Sequence, residues 1–196
     1  MQVEQPQPDE PALKEQQQIL EGTPPTGSDQ PQPEFSDEMR LGLQGQVRRV
    51  LAPRGVKIIQ PLQREYKYEY LLLTVNPKTG HLRWAWIARM KQEFIKPILQ
   101  AWAIQLLFWD GAGVHRGKDL ADLPGKRIFH PAYSPELNPA ERIFEEVRRF
   151  IEGEVYPTLA AKRQAADDFL SKLAAHPQRV ISLCLWGWIQ DALCVT

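Results

Sequence analysis

The chain has 196 residues, of which 43% are hydrophobic, enough to bury a sizeable core in one domain with tails. Its 24 basic and 24 acidic residues give a formal net charge of zero, which by itself disfavours a nucleic-acid partner. The charge is unevenly spread, however. Residues 1–34 contain seven acids and one base, Lys14, a balance of −6, so the remaining residues must carry +6. The body of the protein is therefore basic.

Targeting and membrane segments are not visible in the sequence. The N-terminus lacks a basic patch followed by an apolar run, and no uncharged apolar stretch approaches the ~20 residues that a spanning helix needs. Cys184 and Cys194 have neither CxxC nor metal-finger spacing, which favours free thiols in a reducing compartment. We therefore expect an intracellular, cytoplasmic protein with no membrane partner.

The first 34 residues are rich in Gln, Pro and acids (QPQPDEP, QQQ, TPPTGSDQPQPE). This composition cannot bury enough apolar surface to offset the cost of ordering. We expect a disordered acidic tail over residues 1–34 and one folded domain over residues 35–196. The prolines of Gln30–Phe35 also predict that the strand before Asp37 is truncated or replaced, because proline removes a donor from a strand ladder.

A basic segment follows the tail. Val47, Val50 and Leu51 predict a short strand, and Pro53-Arg54-Gly55 predicts a turn. A basic strand and turn can follow a phosphate backbone, because each neutralised phosphate releases counterions; the alternative is a solvated charged face. We favour nucleic acid for the cluster as a whole, which comprises Arg40, Arg48, Arg49, Arg54, Lys57, Arg64 and Lys67.

Residues 68–109 predict a β-hairpin, a helix and a further strand, which together make a mixed sheet. Trp84 and Trp86 share one face of their strand, and we interpret them as core residues in preference to a base-stacking platform. Helical spacing of apolar residues defines the helix. The predicted elements are the strands Tyr70–Val75 and Leu82–Ile87 around a turn at Asn76–Gly80, the helix Gln92–Trp102 and the strand Ile104–Trp109.

Two acids are predicted to meet at one edge of this sheet. Asp110 follows the apolar strand, and open α/β sheets place their ligands outside the carboxyl ends of the strands. A short helix at Lys118–Leu123 and a strand at Arg127–His130 lead to a proline-punctuated loop. Asn138 is a good N-cap there, Pro139 suits the first helical position, and Glu141 falls at the third. Glu141 is thus either a capping-box residue or a partner of Asp110 in a metal site.

Three helices complete the predicted domain. The first runs from Pro139 to about Glu152, with Ile143, Phe144, Val147 and either Phe150 or Ile151 facing inward, and Gly153 ends it. The others span residues 159–175 and 178–193, and the last has a Trp-rich face that should pack on the sheet.

At three places the sequence resembles DDE transposases of the Tc1/mariner superfamily, in its bacterial insertion-sequence branch. FHPAYSPELNPAERIFEE (Phe129–Glu146) is similar to the loop and helix that carry the family's third catalytic acid. FWDGAGVH (Phe108–His115) resembles the strand with the second acid and its downstream His. FSDEMRLGL (Phe35–Leu43) resembles the segment with the first acid, and RRVLAPRG (Arg48–Gly55) matches its usual continuation.

This resemblance implies an RNase H-like fold, a mixed sheet flanked by helices, with Asp37, Asp110 and Glu141 as the catalytic triad. It also implies two Mg²⁺ ions held by these acids, with Mn²⁺ as a possible substitute, for phosphodiester cleavage and strand transfer. Double-stranded DNA, as transposon ends and target, would be the partner of a nucleoid-associated enzyme. A homodimer and a separate helix-turn-helix subunit are further expected partners. The residues expected to contact DNA are Arg40, Arg48, Arg49, Arg54 and His115.

The sequence leaves several alternatives open for individual residues and for the whole chain. His115 can contact DNA, orient Asp110, or make only a structural hydrogen bond. Glu145, one turn after Glu141, is a conceivable substitute ligand or a salt-bridge partner of Arg149, and Glu38 is expected to be a neighbour of the site. For the whole chain the alternatives are an inactive remnant that only binds DNA, and a ribonuclease that acts on RNA–DNA hybrids.

Overall fold

The computed structural model describes residues 32–45, 51–59, 63–132 and 134–193. Its strands are β1 (Pro33–Gly42), β2 (Tyr68–Val75), β3 (Leu82–Ile87), β4 (Leu106–Trp109) and β5 (Lys126–Phe129). Its α-helices are α1 (Gln92–Trp102), α2 (Ala140–Ile151), α3 (Leu159–Ala174), α4 (Pro177–Cys184) and α5 (Gly187–Leu193). Two single-turn 3₁₀ helices lie at Lys118–Leu120 and Pro135–Leu137.

The five strands form one mixed sheet in the order β3-β2-β1-β4-β5. β1 is central, runs antiparallel to β2 and is parallel to β4. β3 continues the antiparallel half as a hairpin with β2, and β5 adds a further parallel strand beside β4. The predicted mixed sheet flanked by helices is therefore confirmed.

The prediction of a truncated or replaced first strand is wrong, because β1 is a complete ten-residue strand at the centre of the sheet. Pro33 is its first residue, a position where a strand tolerates proline, and it pairs with Leu106 of β4. The buried Glu34 is compensated, since Thr74 Oγ1 donates a 2.9 Å hydrogen bond to its carboxylate and Arg83 forms an ion pair with it. Residues 33 and 34, assigned to the tail, thus belong to the sheet, whereas residues 1–31 lie outside the described ranges.

Side chains alternate between the two faces of β2 and so divide the core in two. Leu71 and Leu73 pack on one face with the helices of the C-terminal half. Leu72 packs on the other face with Ile95 and Leu99 of α1. On α2, Ile143, Phe144, Val147 and Ile151 are buried and Phe150 is about half exposed, so Ile151 is the inward residue at the end of this helix.

The predicted hairpin and the helix after it are confirmed, and α1 has the predicted bounds. The side chain of Asn76 shapes the hairpin turn by accepting hydrogen bonds from the backbone of Lys78 and Thr79. Trp84 and Trp86 are partly buried, which favours the packing interpretation over an exposed base-stacking platform. They pack against the larger hydrophobic cluster, and their indole N–H groups donate to Asp167 at 2.8 and 2.7 Å.

The prediction of one helix over residues 178–193 is wrong, because the chain leaves helical geometry at Leu185 (ψ 78°) and restarts at Gly187. The predicted turn at Pro53-Arg54-Gly55 is confirmed, with Gly55 at a φ of 87°. Of the short strand predicted before it, residues 46–50 lie outside the described ranges, and Leu51 is fully exposed and in no strand. No helix in the described ranges is long and apolar enough to span a membrane.

Candidate metal centre

The sheet register places Asp37 and Asp110 side by side. Phe35 of β1 pairs with Phe108 of β4 in the parallel half of the sheet, and each acid lies two residues beyond its phenylalanine. Because side chains alternate along strands, two residues at equal offsets on paired parallel strands point to the same face. Asp37 is inside β1, whereas Asp110 is the first residue after β4 and its side chain is about half exposed.

Asn138 links the third acid to this pair. Its side-chain Nδ2 donates hydrogen bonds of 2.9 Å to the backbone oxygen of Ser36 and 3.3 Å to Asp37 Oδ2. Its Oδ1 accepts a 3.1 Å bond from the backbone N–H of Ala140, and its carbonyl accepts one from Glu141. Asn138 thus bonds to a backbone donor at the start of α2, as a cap does, although the helix begins at Ala140 and Pro139, predicted as its first residue, directly precedes it. The same buried amide ties the start of α2, with Glu141, to β1.

The environment of Asp37 shows that the acids are close enough to repel one another. Its pKa is raised to about 8, first by burial and then by the negative charges of Glu141 and Glu38, with a smaller contribution from Asp110. The backbone N–H of Glu38, which donates to Asp37 at 2.8 Å, offsets only part of this. A carboxylate destabilised in this way gains strongly from a nearby cation.

His115 contacts Asp110 and belongs to a buried cluster with Glu38 and Trp109. Its Nδ1 contacts the Asp110 carboxylate, and its Nε2 lies 3.2 Å from Glu38 Oε2. The imidazole stacks on Trp109 with ring centres 3.7 Å apart, and the Trp109 indole donates a 3.1 Å hydrogen bond to the other oxygen of Glu38. Only 1% of the His115 side chain and 5% of the Glu38 side chain are exposed.

These contacts set the charges of the cluster. Burial works to lower the pKa of His115, but the Asp110 and Glu38 carboxylates outweigh it and raise the pKa to about 9. Burial works to raise the pKa of Asp110, but the hydrogen bond and charge of His115 hold it below its ordinary value. At neutral pH an imidazolium thus lies between two carboxylates, and Asp110 is ionised.

The contacts of His115 and Glu145 bear on the alternatives given for these two residues. The prediction that His115 contacts DNA does not fit its burial, and its contacts agree with the alternative that it orients Asp110. Glu145 is engaged in ion pairs, with Arg142 at 2.5 Å and Arg149 at 3.9 Å, which favours the salt-bridge alternative over a ligand role.

Glu141 is partly exposed and its carboxylate lies 3.6 Å from Arg148 Nη1. In the described part of the chain it makes no hydrogen bond to the backbone donors at the start of its helix, so the capping-box interpretation is not supported. A carboxylate held only by a long ion pair on a partly exposed surface is free to turn toward a cation.

The three acids offer only hard oxygen donors, the type that Mg²⁺ and Mn²⁺ prefer. Within the described ranges, no group of three or more His, Cys, Asp or Glu side chains is gathered tightly enough to hold a metal ion as the side chains stand. The mutual repulsion at Asp37 nevertheless favours a divalent cation there. The donor set therefore fits a divalent ion, and the carboxylates would have to approach one another to hold it.

The predicted DNA-contacting arginines lie on the surface where the structure describes them. Arg40 is exposed on β1, with its guanidinium carbon 5.1 Å from the centre of the Tyr68 ring. Arg54 lies in the exposed turn between β1 and β2. Arg48 and Arg49 lie outside the described residues.

Comparison with known proteins rests on three-dimensional similarity, because no protein-family model and no curated protein matches the sequence. A pre-cleavage Mos1 transpososome superimposes with a TM-score of 0.64 at 14% identity, covering 98% of this chain and 66% of that one. The Mos1 mariner paired-end complex with Mn gives 0.61 at 13% identity, covering 100% and 67%. The catalytic domain of Mos1 mariner transposase gives 0.54 at 12% identity, covering 95% and 96%.

The fold is that of an RNase H-like transposase catalytic domain. The predicted fold class is therefore confirmed, and the chain spans about two thirds of the longer Mos1 chains and nearly all of the isolated Mos1 catalytic domain. At 12–14% identity the similarity establishes the fold alone.

Proposed function

We propose that the chain is the catalytic domain of a DNA transposase of the Tc1/mariner superfamily, of the bacterial insertion-sequence branch that its motifs resemble. The observation that carries this proposal is the placement of the three acids. The register of β1 and β4 sets Asp37 beside Asp110, and Asn138 ties the beginning of the Glu141 helix to Asp37. The matched Mos1 structures, solved with Mn and with Mg, support a divalent metal.

Asp37, Asp110 and Glu141 would together hold two divalent ions. When bound, such ions activate an attacking hydroxyl and stabilise the leaving oxygen of a phosphodiester. The protein's own part is to keep Asp110 charged and to hold the acids in place. The contact with His115 keeps Asp110 ionised, and Glu38 contacts the other ring nitrogen of His115. The hydrogen bond from Asn138 fixes Asp37 relative to α2.

Double-stranded DNA is the proposed partner, as transposon ends and as target. The +6 balance outside the acidic first 34 residues supports this, as do the exposed Arg40 and Arg54. Arg48 and Arg49 belong to the same basic segment and to the same proposal. The matched Mos1 complexes include one with the left transposon end. A homodimer, a separate helix-turn-helix subunit and a cytoplasmic, nucleoid-associated location complete the proposal.

The test is cleavage and joining of DNA by the purified protein in Mg²⁺ or Mn²⁺, with nicked duplexes taken from the DNA that flanks the gene. We expect products that Asp110→Asn abolishes. Asp119→Asn is the matched control, because it removes the same charge from an exposed position in the following 3₁₀ turn and should leave the products unchanged. Full activity of Asp110→Asn would refute the metal-site assignment.

Two further outcomes separate the alternative functions. DNA retention that falls with salt, with no metal-dependent product from any duplex, would identify an inactive remnant that only binds DNA. Preferential cleavage of the RNA strand of an RNA–DNA hybrid would identify a ribonuclease.

A further inference from the structure

A basic side chain outside the predicted DNA-contacting set lies next to Asp110. Arg116 follows the buried His115 in the loop after β4, and it is exposed. Its Nε donates a 3.0 Å hydrogen bond to the carbonyl oxygen of Gly111, and its guanidinium carbon lies 4.5 Å from the centre of the Phe129 ring. Two contacts of different kinds therefore hold the guanidinium group in one place.

That place is the edge of the sheet at which the acids meet. Phe129 is the last residue of β5 and pairs with Trp109, the last residue of β4. Gly111 is the residue directly after Asp110. An arginine bonded to Gly111 and stacked on Phe129 therefore spans the ends of both parallel strands beside the second acid.

The absence of a side chain at Gly111 is what makes room for this arrangement. A Cβ atom built on Gly111 would lie 2.7 Å from Arg116 Nη2 and 3.3 Å from Nε. The guanidinium group thus fills the space that any other residue at position 111 would occupy. Because the group in conflict is the end of a flexible side chain, an alanine at this position displaces Arg116 without disturbing the backbone.

The charge of Arg116 has no acidic partner in the described part of the chain. In the ranges that the structure describes, no carboxylate lies within ion-pair distance of its guanidinium group, whose Nε is used by Gly111. Among the described residues, the two terminal nitrogens make no hydrogen bond and so remain available as donors. A planar pair of such donors matches two oxygens of one phosphate, and ordering the side chain in advance lowers the entropy lost on binding.

We propose that Arg116 is a substrate-binding residue that holds a backbone phosphodiester of DNA beside the bond on which the three acids act, and that Gly111 is needed to leave it room. The inference rests on the proposed function for its substrate class. It adds a specific contact at the site edge, distinct from Arg40 on β1 and Arg54 in the turn between β1 and β2.

The test measures the affinity of the full chain for a fluorescein-labelled nicked duplex by anisotropy across a salt series, with Ca²⁺ in place of Mg²⁺ so that no cleavage is needed. For Arg116→Gln we expect affinity to fall about tenfold and the slope of log K against log salt to decrease by about 1, the signature of one lost phosphate contact. Arg116→Lys should keep the slope and lose part of the affinity, because an ammonium lacks the planar fork.

We call the Arg116 guanidinium group, held by Gly111 and Phe129, the clamp. Two further variants distinguish a loss of this clamp from a general loss of positive charge. Lys118→Gln removes one positive charge from an exposed position two residues further on, at the start of the 3₁₀ helix, and should change affinity much less. Gly111→Ala keeps the charge and displaces the guanidinium, so it should weaken binding as Arg116→Gln does, and the double variant should be no weaker than either single one.

The outcomes distinguish this inference from the proposed function. An unchanged salt slope in Arg116→Gln, or equal losses in Arg116→Gln and Lys118→Gln, would refute the clamp even in a protein that cleaves DNA. A reduced slope and non-additive losses would support the clamp even in a protein that yields no product.

Discussion

Replacing Glu38 by Gln tests the buried support beneath Asp110, because the amide keeps the shape and removes only the charge. Loss of one partner from a buried ion pair costs about 3–5 kcal/mol. His115 retains Asp110 as its other partner, so we expect the free energy of unfolding to fall by an amount near the lower end of that range at pH 6. The oxygen that accepts from the Trp109 indole can be retained by the amide.

The size of this effect should depend on pH in a defined direction. The pKa of His115 is raised from 6.5 to about 9, so its stabilising contribution is complete below pH 6.5 and is lost as the pH rises through about 9. A shift of this size corresponds to roughly 3 kcal/mol. Removing the Glu38 charge also lowers the pKa of Asp37, and this makes the variant more stable at high pH, where Asp37 is ionised. The difference between wild type and Glu38→Gln should therefore shrink between pH 6.5 and 9.

Urea unfolding followed by tryptophan fluorescence at several pH values measures this difference, and the NMR titration of the His115 ring reports the pKa directly. Glu93→Gln is the control, because Glu93 is 64% exposed and its pair with Lys91 lies on the surface, where an ion pair contributes less than about 1 kcal/mol. A loss of stability in Glu38→Gln that is the same at pH 6 and pH 9.5 would refute the reasoning.

Three other changes give separate tests. Because the raised pKa of Asp37 makes the metal-free protein less stable as the pH rises from 4 to about 8, Asp37→Asn should raise the Tm of the metal-free protein at pH 8; a lower Tm in a thermal melt would contradict this. Asn138→Ala removes a helix cap and the bonds to Ser36 and Asp37, and it should cost about 2 kcal/mol in urea unfolding; a cost below ~0.5 kcal/mol would show that the tie is unimportant. Asp167→Ala leaves two indole donors without their acceptor and should also cost about 2 kcal/mol and shift the tryptophan emission; an unchanged spectrum would exclude it as their partner.

The parts of the fold that local pattern determines were predictable from the sequence. The hairpin around Asn76–Gly80 and the helix Gln92–Trp102 have clear turn and periodicity signals, and both were predicted correctly. The C-terminal helices show the limit of such signals. Apolar periodicity continues across Leu185 and Trp186, so it cannot show that the backbone breaks there and restarts at Gly187.

The prediction for the first strand fails because the position of a proline in a strand matters more than the proline content of the segment. A proline is unfavourable inside a central strand, but Pro33 is the first residue of β1, and the strand gains its place from pairing on both sides with β2 and β4. Long-range pairing of this kind is not visible in the local sequence around Asp37.

The support under Asp110 could have been found in part. Glu38 follows Asp37 and Trp109 precedes Asp110, so once β1 and β4 are adjacent and in register, alternation places both on the opposite face from the acids. What the sequence cannot show is that the loop after β4 turns His115 inward between them. Because of this loop conformation, His115 lies in the interior and not on the surface that was predicted to contact DNA.

The central claim is that Asp37, Asp110 and Glu141 together hold divalent ions. Titration of the protein with Mn²⁺ at pH 8, followed by the EPR signal of free Mn²⁺, tests it without any DNA substrate. We predict two bound ions in the wild type and in Glu145→Gln, which lies one turn along the same helix, and loss of at least one ion in Asp37→Asn, Asp110→Asn and Glu141→Gln. Unchanged Mn²⁺ binding in these three variants, or equal loss in Glu145→Gln, would contradict the account.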